Sequence, residues 1–185
     1  MSIDAEAGHR EAGVEPTELE LVFDASDFEE FFTREYPRLV VLLTAVTGRR
    51  GVAEEIAQEA LIRAHQRWRR VSRYERPTAW VRRVALNLAS NQRARQRTED
   101  RTLRRLGDQR TSEGPDDGDD GFWALVRQLP DRQGAAVALY YLEDRPVAEV
   151  AAILGCAEGT AKAHLHKGRA SLARLLDHPE APDGA

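Results

Sequence analysis

Ala79-Trp80-Val81-Arg82-Arg83-Val84-Ala85-Leu86-Asn87 and Glu158-Gly159-Thr160-Ala161-Lys162-Ala163-His164-Leu165-His166-Lys167 lie about seventy residues apart in this chain. Both repeat apolar residues at steps of three and four, the pattern of a helix with one buried face, and both carry cations on the remaining surface. Around them Arg, Ala, Leu, Glu and Val dominate, and aromatic residues make up only 6% of the 185. No run of alternating β-branched residues offers a half-buried strand. The expected fold class is all-α.

Working outward from the first segment, Pro77 suits the first turn of a helix that can run to about residue 97. Upstream, Ser26-Asp27-Phe28-Glu29 has the form of a capping box. After it Phe28, Phe31, Phe32, Leu39, Leu42, Leu43 and Val46 supply an apolar face up to Gly48, with Pro37 expected to kink or split the helix. A second helix is expected from about 52 to 68, with Val52, Ala53, Ile56, Ala60 and Ala64 inward and Glu54, Glu55, Gln58 and Glu59 outward. Residues 1–22 are small, acidic and interrupted by Gly8, Gly13 and Pro16, and are expected to be disordered.

The run Gly114-Pro115-Asp116-Asp117-Gly118-Asp119-Asp120-Gly121 is too polar to pack. Residues 107–121 therefore read as a flexible acidic linker between two small helical domains, 23–106 and 122–177, followed by a disordered tail at 178–185. In the second domain short helices over 122–129 and 133–141 precede a pair, 147–154 and 157 to about 176, joined through Gly155. Two helices joined by a short turn with glycine form a helix-turn-helix.

The net charge is −4, but its placement matters more than its sum. From Arg63 to Arg110 there are fifteen arginines against four acids, a local excess of +11. Residues 1–30 carry ten acids against Arg10 alone, and 111–121 hold five acids and no base. A basic block between acidic ones suggests a phosphate-facing surface.

Several classes of function fall away. The single cysteine, Cys156, forms no internal disulfide, sits beside no activating base, and reads as a small packing residue in a turn. His164 and His166 are two apart on a helix and diverge, and no zinc spacing, glycine-rich phosphate loop or acid/base pair is present. No catalysis, metal or cofactor is expected. The acidic, polar start lacks the form of a signal peptide, and no apolar stretch approaches a membrane span. A cytoplasmic protein without membrane insertion, monomeric when free, is expected.

The two opening segments carry the chemistry. In the second, Ala161, Leu165, Gly168, Leu172 and Leu175 stack on one side, while Lys162, Ala163, His166 and Lys167 lie broadly opposite. Gly159, Thr160 and the small Ala161 and Ala163 allow close approach to a groove, and Lys162, Lys167, Arg169 and His166 can contact phosphates or base edges. In the first, Trp80, Arg83, Asn87, Ser90 and Ala94 share a stripe beside the apolar stripe of Val81, Val84 and Leu88. An indole to stack on, a guanidinium for the backbone and an amide for a base edge suit single-stranded or flipped-base recognition. The run Asn91-Gln92-Arg93-Ala94-Arg95-Gln96-Arg97 extends that surface.

Together these segments resemble the extracytoplasmic-function sigma factors, small two-domain initiation factors of bacterial RNA polymerase, over roughly residues 28–176. Ala53-Glu54-Glu55-Ile56-Ala57-Gln58-Glu59-Ala60-Leu61 is similar to the family's polymerase-binding helix. The resemblance implies that Glu54, Glu55, Ile56, Gln58, Glu59 and Leu61 meet core RNA polymerase. Residues 77–97 resemble the segment that melts and reads the minus-ten element, which implies contacts by Trp80, Arg83, Asn87, Ser90, Asn91 and Arg93, with Asn87 as the base-capturing residue. Residues 129–176 are similar to region four, which implies minus-thirty-five contacts by Thr160, Lys162, Ala163, His166, Lys167 and Arg169.

Tyr141-Leu142-Glu143-Asp144 and Ala79-Trp80-Val81-Arg82-Arg83 look closest to the actinobacterial SigE-family branch. Where many relatives have Val, Ser and Arg in the recognition helix, this chain has Ala161, Ala163 and His164. The resemblance also implies a linker running through the polymerase cleft, promoter DNA as a partner, an anti-sigma factor as a further candidate partner, and no extra C-terminal regulatory domain. Two other readings stand beside it: a stand-alone helix-turn-helix regulator that needs no polymerase, and an adaptor or anti-sigma protein without a DNA role. The arginine-rich stripe of the first domain argues against the former and the outward Lys162, His166 and Lys167 against the latter.

Overall fold

The computed structural model describes residues 18–105 and 121–177, and every described element is a helix. The expected linker, apart from Gly121, and the expected tail lie outside the described residues, as do residues 1–17. The first four helices are α1 (Glu18–Thr47), α2 (Arg50–His65), α3 (Trp68–Val71) and α4 (Pro77–Arg105). The second four are α5 (Phe122–Gln128), α6 (Asp131–Tyr141), α7 (Val147–Leu154) and α8 (Glu158–Asp177).

Several boundaries differ from expectation: α2 ends at His65 rather than about 68, and α4 runs on to Arg105 rather than about 97. Helix α1 starts eight residues before the capping-box serine, so residues 18–22, expected to be disordered, are helical. It also runs through Pro37 without the split that was one of the two expectations there. Proline removes the donor to the carbonyl four residues back; here that residue is Thr33, and both positions are exposed, within reach of water.

The first unit packs because α2 presents small residues to its neighbours. Ala53, Ala57, Ala60 and Ala64 are all fully buried, which lets α2 lie close against Leu39, Leu42, Leu43 and Val46 of α1 and Val81, Ala85 and Ala89 of α4. Trp68 and Val71 of α3 close one end, where Phe28 meets the Trp68 ring edge-on at 5.2 Å and Phe31 lies 4.8 Å from it. In the second unit α6 and α8 are packed at close range: a Cβ on Gly168 would stand 3.0 Å from Val137 Cγ2.

Helix α7 ends at Gly155, whose φ of 67° and ψ of 42° place it in the left-handed region. The Cys156 N–H then donates to the Ala151 carbonyl at 3.0 Å, a Schellman-type closure. This is the turn of the helix-turn-helix. The two units are not held apart: Leu86 and Val81 of the first share one buried cluster with Ala135, Ala138, Leu139, Ile153 and Leu154 of the second.

Candidate nucleic-acid interface

Helix α8 turns Ala161, Leu165, Gly168 and Leu172 into the core. Its other face is solvent-facing: Gly159, Thr160, Lys162, Ala163, His166, Lys167 and Arg169 are all exposed. The Lys162, His166 and Lys167 side chains have no hydrogen-bond or ion-pair partner among the described residues. Arg169 differs. Its Nε donates to the Tyr141 hydroxyl at 2.7 Å, and its guanidinium lies 5.2 Å from the Tyr140 ring centre and 5.4 Å from that of Tyr141. A guanidinium against two aromatic faces is held by the ring quadrupoles as well as by the hydroxyl.

The stripe on α4 has a different setting. Trp80 is half-buried against the core. Arg83 Nε donates to the Ile153 carbonyl at 3.1 Å, and Arg83 Nη2 donates to the Ala152 carbonyl. Both carbonyls belong to the last turn of α7, where orphan acceptors and the helix dipole favour a cation. Arg132 serves the same turn by donating from Nη1 to the Leu154 carbonyl. Ser90 Oγ donates to Asp131 Oδ2 at 2.7 Å, and Arg93 Nη1 to Asp131 Oδ1 at 3.0 Å, with Arg93 Nη2 reaching the Arg127 carbonyl. Burial lowers the Arg93 pKa below the usual range, against the pull of Asp131 and with repulsion from Arg97 and Arg127 adding to the shift.

Asn87 and Asn91 remain exposed and line a crevice shared with Ala135, Ile153 and Leu154 of the second unit. In this structure Arg83, Asn87, Ser90 and Asn91 face the helix-turn-helix unit.

The polymerase-facing assignments on α2 divide. Glu55 and Gln58 are exposed, Glu54 Oε1 accepts from Arg50 Nε at 2.9 Å, and Glu59 Oε1 from Arg63 Nε at 2.7 Å. Ile56 and Leu61 must be corrected. They are 4% and 1% exposed, pointing inward with the alanines of α2, and cannot touch a partner. The apolar side chain that α2 offers to solvent is Ile62, 52% exposed.

One residue escaped the sequence reading. Arg82, 1% exposed, donates from Nη1 to Glu35 Oε2 at 2.8 Å and from Nε to Glu143 Oε2 at 2.7 Å. Burial alone would lower its pKa, but Glu143 and then Glu35 raise it above the ordinary value. Burial would likewise raise Glu35, yet hydrogen bonds from Arg82 and Arg34 outweigh it and hold the carboxyl below its ordinary 4.5. The available signal was positional: Arg82 stands one turn before Ala85 and Leu86 on the side of α4 that is buried.

Comparison with known proteins matches residues 31–99, on α1 to α4, to Sigma-70 region 2, and residues 120–172, ending within α8, to Sigma-70, region 4. The chain belongs to the sigma-70 family. The RNA polymerase sigma-E factor of Streptomyces antibioticus is 29% identical to this sigma factor over 133 residues, 71% of this chain and 72% of that one. The ECF RNA polymerase sigma factor SigM of Mycobacterium tuberculosis (strain ATCC 25618 / H37Rv) is 27% identical over 186 residues, 92% of this chain and 87% of its own. These similarities agree with the resemblance to the extracytoplasmic-function group and its SigE branch.

The fold is like that of the sigma factor RpoE in complex with the anti-sigma factor NepR from Bartonella quintana. The TM-score is 0.63 at 22% identity, covering 82% of this factor and 97% of that chain. It is also like that of CnrH in complex with the cytosolic domain of CnrY, with a TM-score of 0.62 at 18% identity and coverage of 86% and 96%. Among the described residues no cluster of His, Cys, Asp or Glu is suited to a metal, and no helix is long and apolar enough to cross a membrane.

Proposed function

We propose that this sigma factor gives core RNA polymerase its choice of promoter, by docking α8 on minus-thirty-five duplex and capturing unpaired minus-ten bases with α4. The observation that carries the reading is the solvent-facing side of α8, where Thr160, Lys162, Ala163, His166 and Lys167 stand exposed on the second helix of a helix-turn-helix. The small Gly159 and Ala163 let that face approach a groove, and the cations supply phosphate contacts. On α4 the capture surface is Trp80, Asn87 and Asn91, flanked by Arg83, Ser90 and Arg93. Glu54, Glu55, Gln58 and Glu59 on α2 form the acidic face toward polymerase, with Ile62 as its apolar neighbour. An anti-sigma factor is a further partner under this reading, and the RpoE structure in complex with NepR supports it. The chemistry is binding and strand separation, with no bond made or broken by the factor.

Asn87→Ala tests the capture step. A base-edge contact is worth about 1–3 kcal/mol, so promoter melting by the holoenzyme, read by permanganate footprinting, is expected to fall by about 5- to 150-fold while binding to upstream duplex stays unchanged. Normal melting by that variant would remove Asn87 from the role.

A further inference from the structure

Three arginines meet at a cavity that the promoter reading does not use. It holds about 600 Å³ between α1, α4 and the turn that joins α6 to α7, and Arg38, Arg82 and Arg145 line it together with Glu143. A guanidinium carries five N–H donors and no acceptor, so the donors left unspent decide what the cavity can take. Arg82 donates from Nε to Glu143 and from Nη1 to Glu35, while its Nη2 is buried without a hydrogen-bond partner. Arg145 spends Nε on Glu143 and Nη1 on Glu149, which leaves Nη2. Arg38 is exposed and has no hydrogen-bond or ion-pair partner among the described residues. Both oxygens of Glu143, the one acid of the lining, already accept from Arg82. The spare hydrogen-bonding capacity of the wall is therefore mostly donor, and a phosphate, with several acceptor oxygens, is its complement.

A second cavity, of about 540 Å³, adjoins the first through Pro37, Val41 and Leu142, which line both, and adds Tyr36 and Trp123. Tyr36 is stacked on Phe32 with ring centres 5.3 Å apart, and Val41 is 55% exposed on the shared wall. Glu54, on the lining of this second cavity, is paired with Arg50. Volumes of this size suit small organic ligands. Aromatic and aliphatic walls beside a cluster of arginines suit one that joins a flat ring to a phosphate. We propose that the two cavities form one binding site for a nucleotide, with its phosphate on Arg38, Arg82 and Arg145 and its ring against Tyr36, Val41 and Trp123. An oxygen that reaches Arg82 Nη2 supplies the acceptor this buried donor lacks, so binding removes a cost that the unliganded fold carries. The site shares no residue with the proposed DNA-contacting faces of α4 and α8, so it goes beyond the promoter reading and stands or falls apart from it.

The test is titration calorimetry of the full chain at fixed ionic strength, with AMP, adenosine and a ribose phosphate lacking the base as probes. AMP is expected to bind saturably at a single site. The ribose phosphate should bind about tenfold more weakly for want of a ring to stack, and adenosine about tenfold more weakly for want of the charge-assisted contacts. Arg82 also holds the fold, so the variants are placed at the exposed Arg38 and Val41, where circular dichroism should report an unchanged structure. Arg38→Ala should weaken AMP binding about tenfold, and Val41→Asp, which sets a carboxylate on the wall common to both cavities, should weaken it as well. No saturable binding of AMP overturns the proposal, as does an AMP affinity unchanged in both variants, which would put the nucleotide elsewhere on the chain. Adenosine or the ribose phosphate binding as tightly as AMP would overturn the pairing of a phosphate end with a ring end.

Discussion

Replacing Arg82 with Ala removes the cation shared by Glu35 and Glu143, whose side chains are only 3% and 9% exposed. Deleting one partner of a buried pair costs about 3–5 kcal/mol because the remaining charge has lost both water and counter-ion. Here each acid keeps a second arginine, Arg34 or Arg145, so the lower end applies, about 3 kcal/mol. With a urea dependence of about 2 kcal/mol per molar, the midpoint for loss of helical ellipticity should fall by about 1.5 M. The Arg82 contacts also couple two helical units across their seam, so the variant should replace one cooperative transition with two. A single transition within about 0.3 M of the parent midpoint would mean that the two carboxylates find equivalent solvation without Arg82 and that the ion pairs contribute little.

Stability should also report on Glu35, whose carboxyl is held below 4.5 by Arg82 and Arg34 in spite of burial. A lowered folded-state pKa adds stability that is complete above 4.5 and is lost as the pH falls through the lowered value. Glu35→Gln should therefore weaken the fold at neutral pH and show a shallower acid decline in urea midpoint, and a decline parallel to the parent's would contradict the assignment. Gly155→Ala forces a Cβ into a left-handed residue and within 3.4 Å of Arg83 Cζ. It should cost about 1–2 kcal/mol in urea unfolding, with Gly155→Asn losing less. Lys162→Ala with Lys167→Ala should flatten the plot of log affinity for minus-thirty-five duplex against log salt by about 1.8, at about 0.9 for each phosphate no longer neutralised; an unchanged slope would remove both from the phosphate surface.

The helices were legible wherever the chain carries its own start and stop signals. Helix α7 spans the expected 147–154 because Pro146 fixes its entry and Gly155 its left-handed exit. The buried and exposed sides of α8 likewise follow the wheel, since Leu165, Gly168 and Leu172 must pack and Lys162 and Lys167 must not. Helix α1 begins earlier than its capping box because a side-chain cap marks one favourable start without forbidding continuation upstream. Ile56 and Leu61 were assigned to a partner by motif, although their helical phase with Ala53, Ala57 and Ala60 already places them inside.

What no local pattern gave was the seam. Arg82 was counted with the phosphate-facing arginines, yet its partners lie 47 and 61 residues away. The stripe of Arg83, Ser90 and Arg93 marks a surface that binds something, but spacing along one helix does not distinguish a DNA strand from the carbonyls of α7 and the carboxylate of Asp131. Helical periodicity records which way a side chain points, and the identity of what it meets is a non-local property.

Under the proposed function this factor directs polymerase to particular promoters. The most direct measurement is run-off transcription of fragmented genomic DNA by purified core RNA polymerase, with and without the protein. Discrete new transcripts that appear only when it is added are the predicted result. No new transcripts, alongside retained binding to duplex DNA, would contradict the account and leave a helix-turn-helix protein that acts without polymerase.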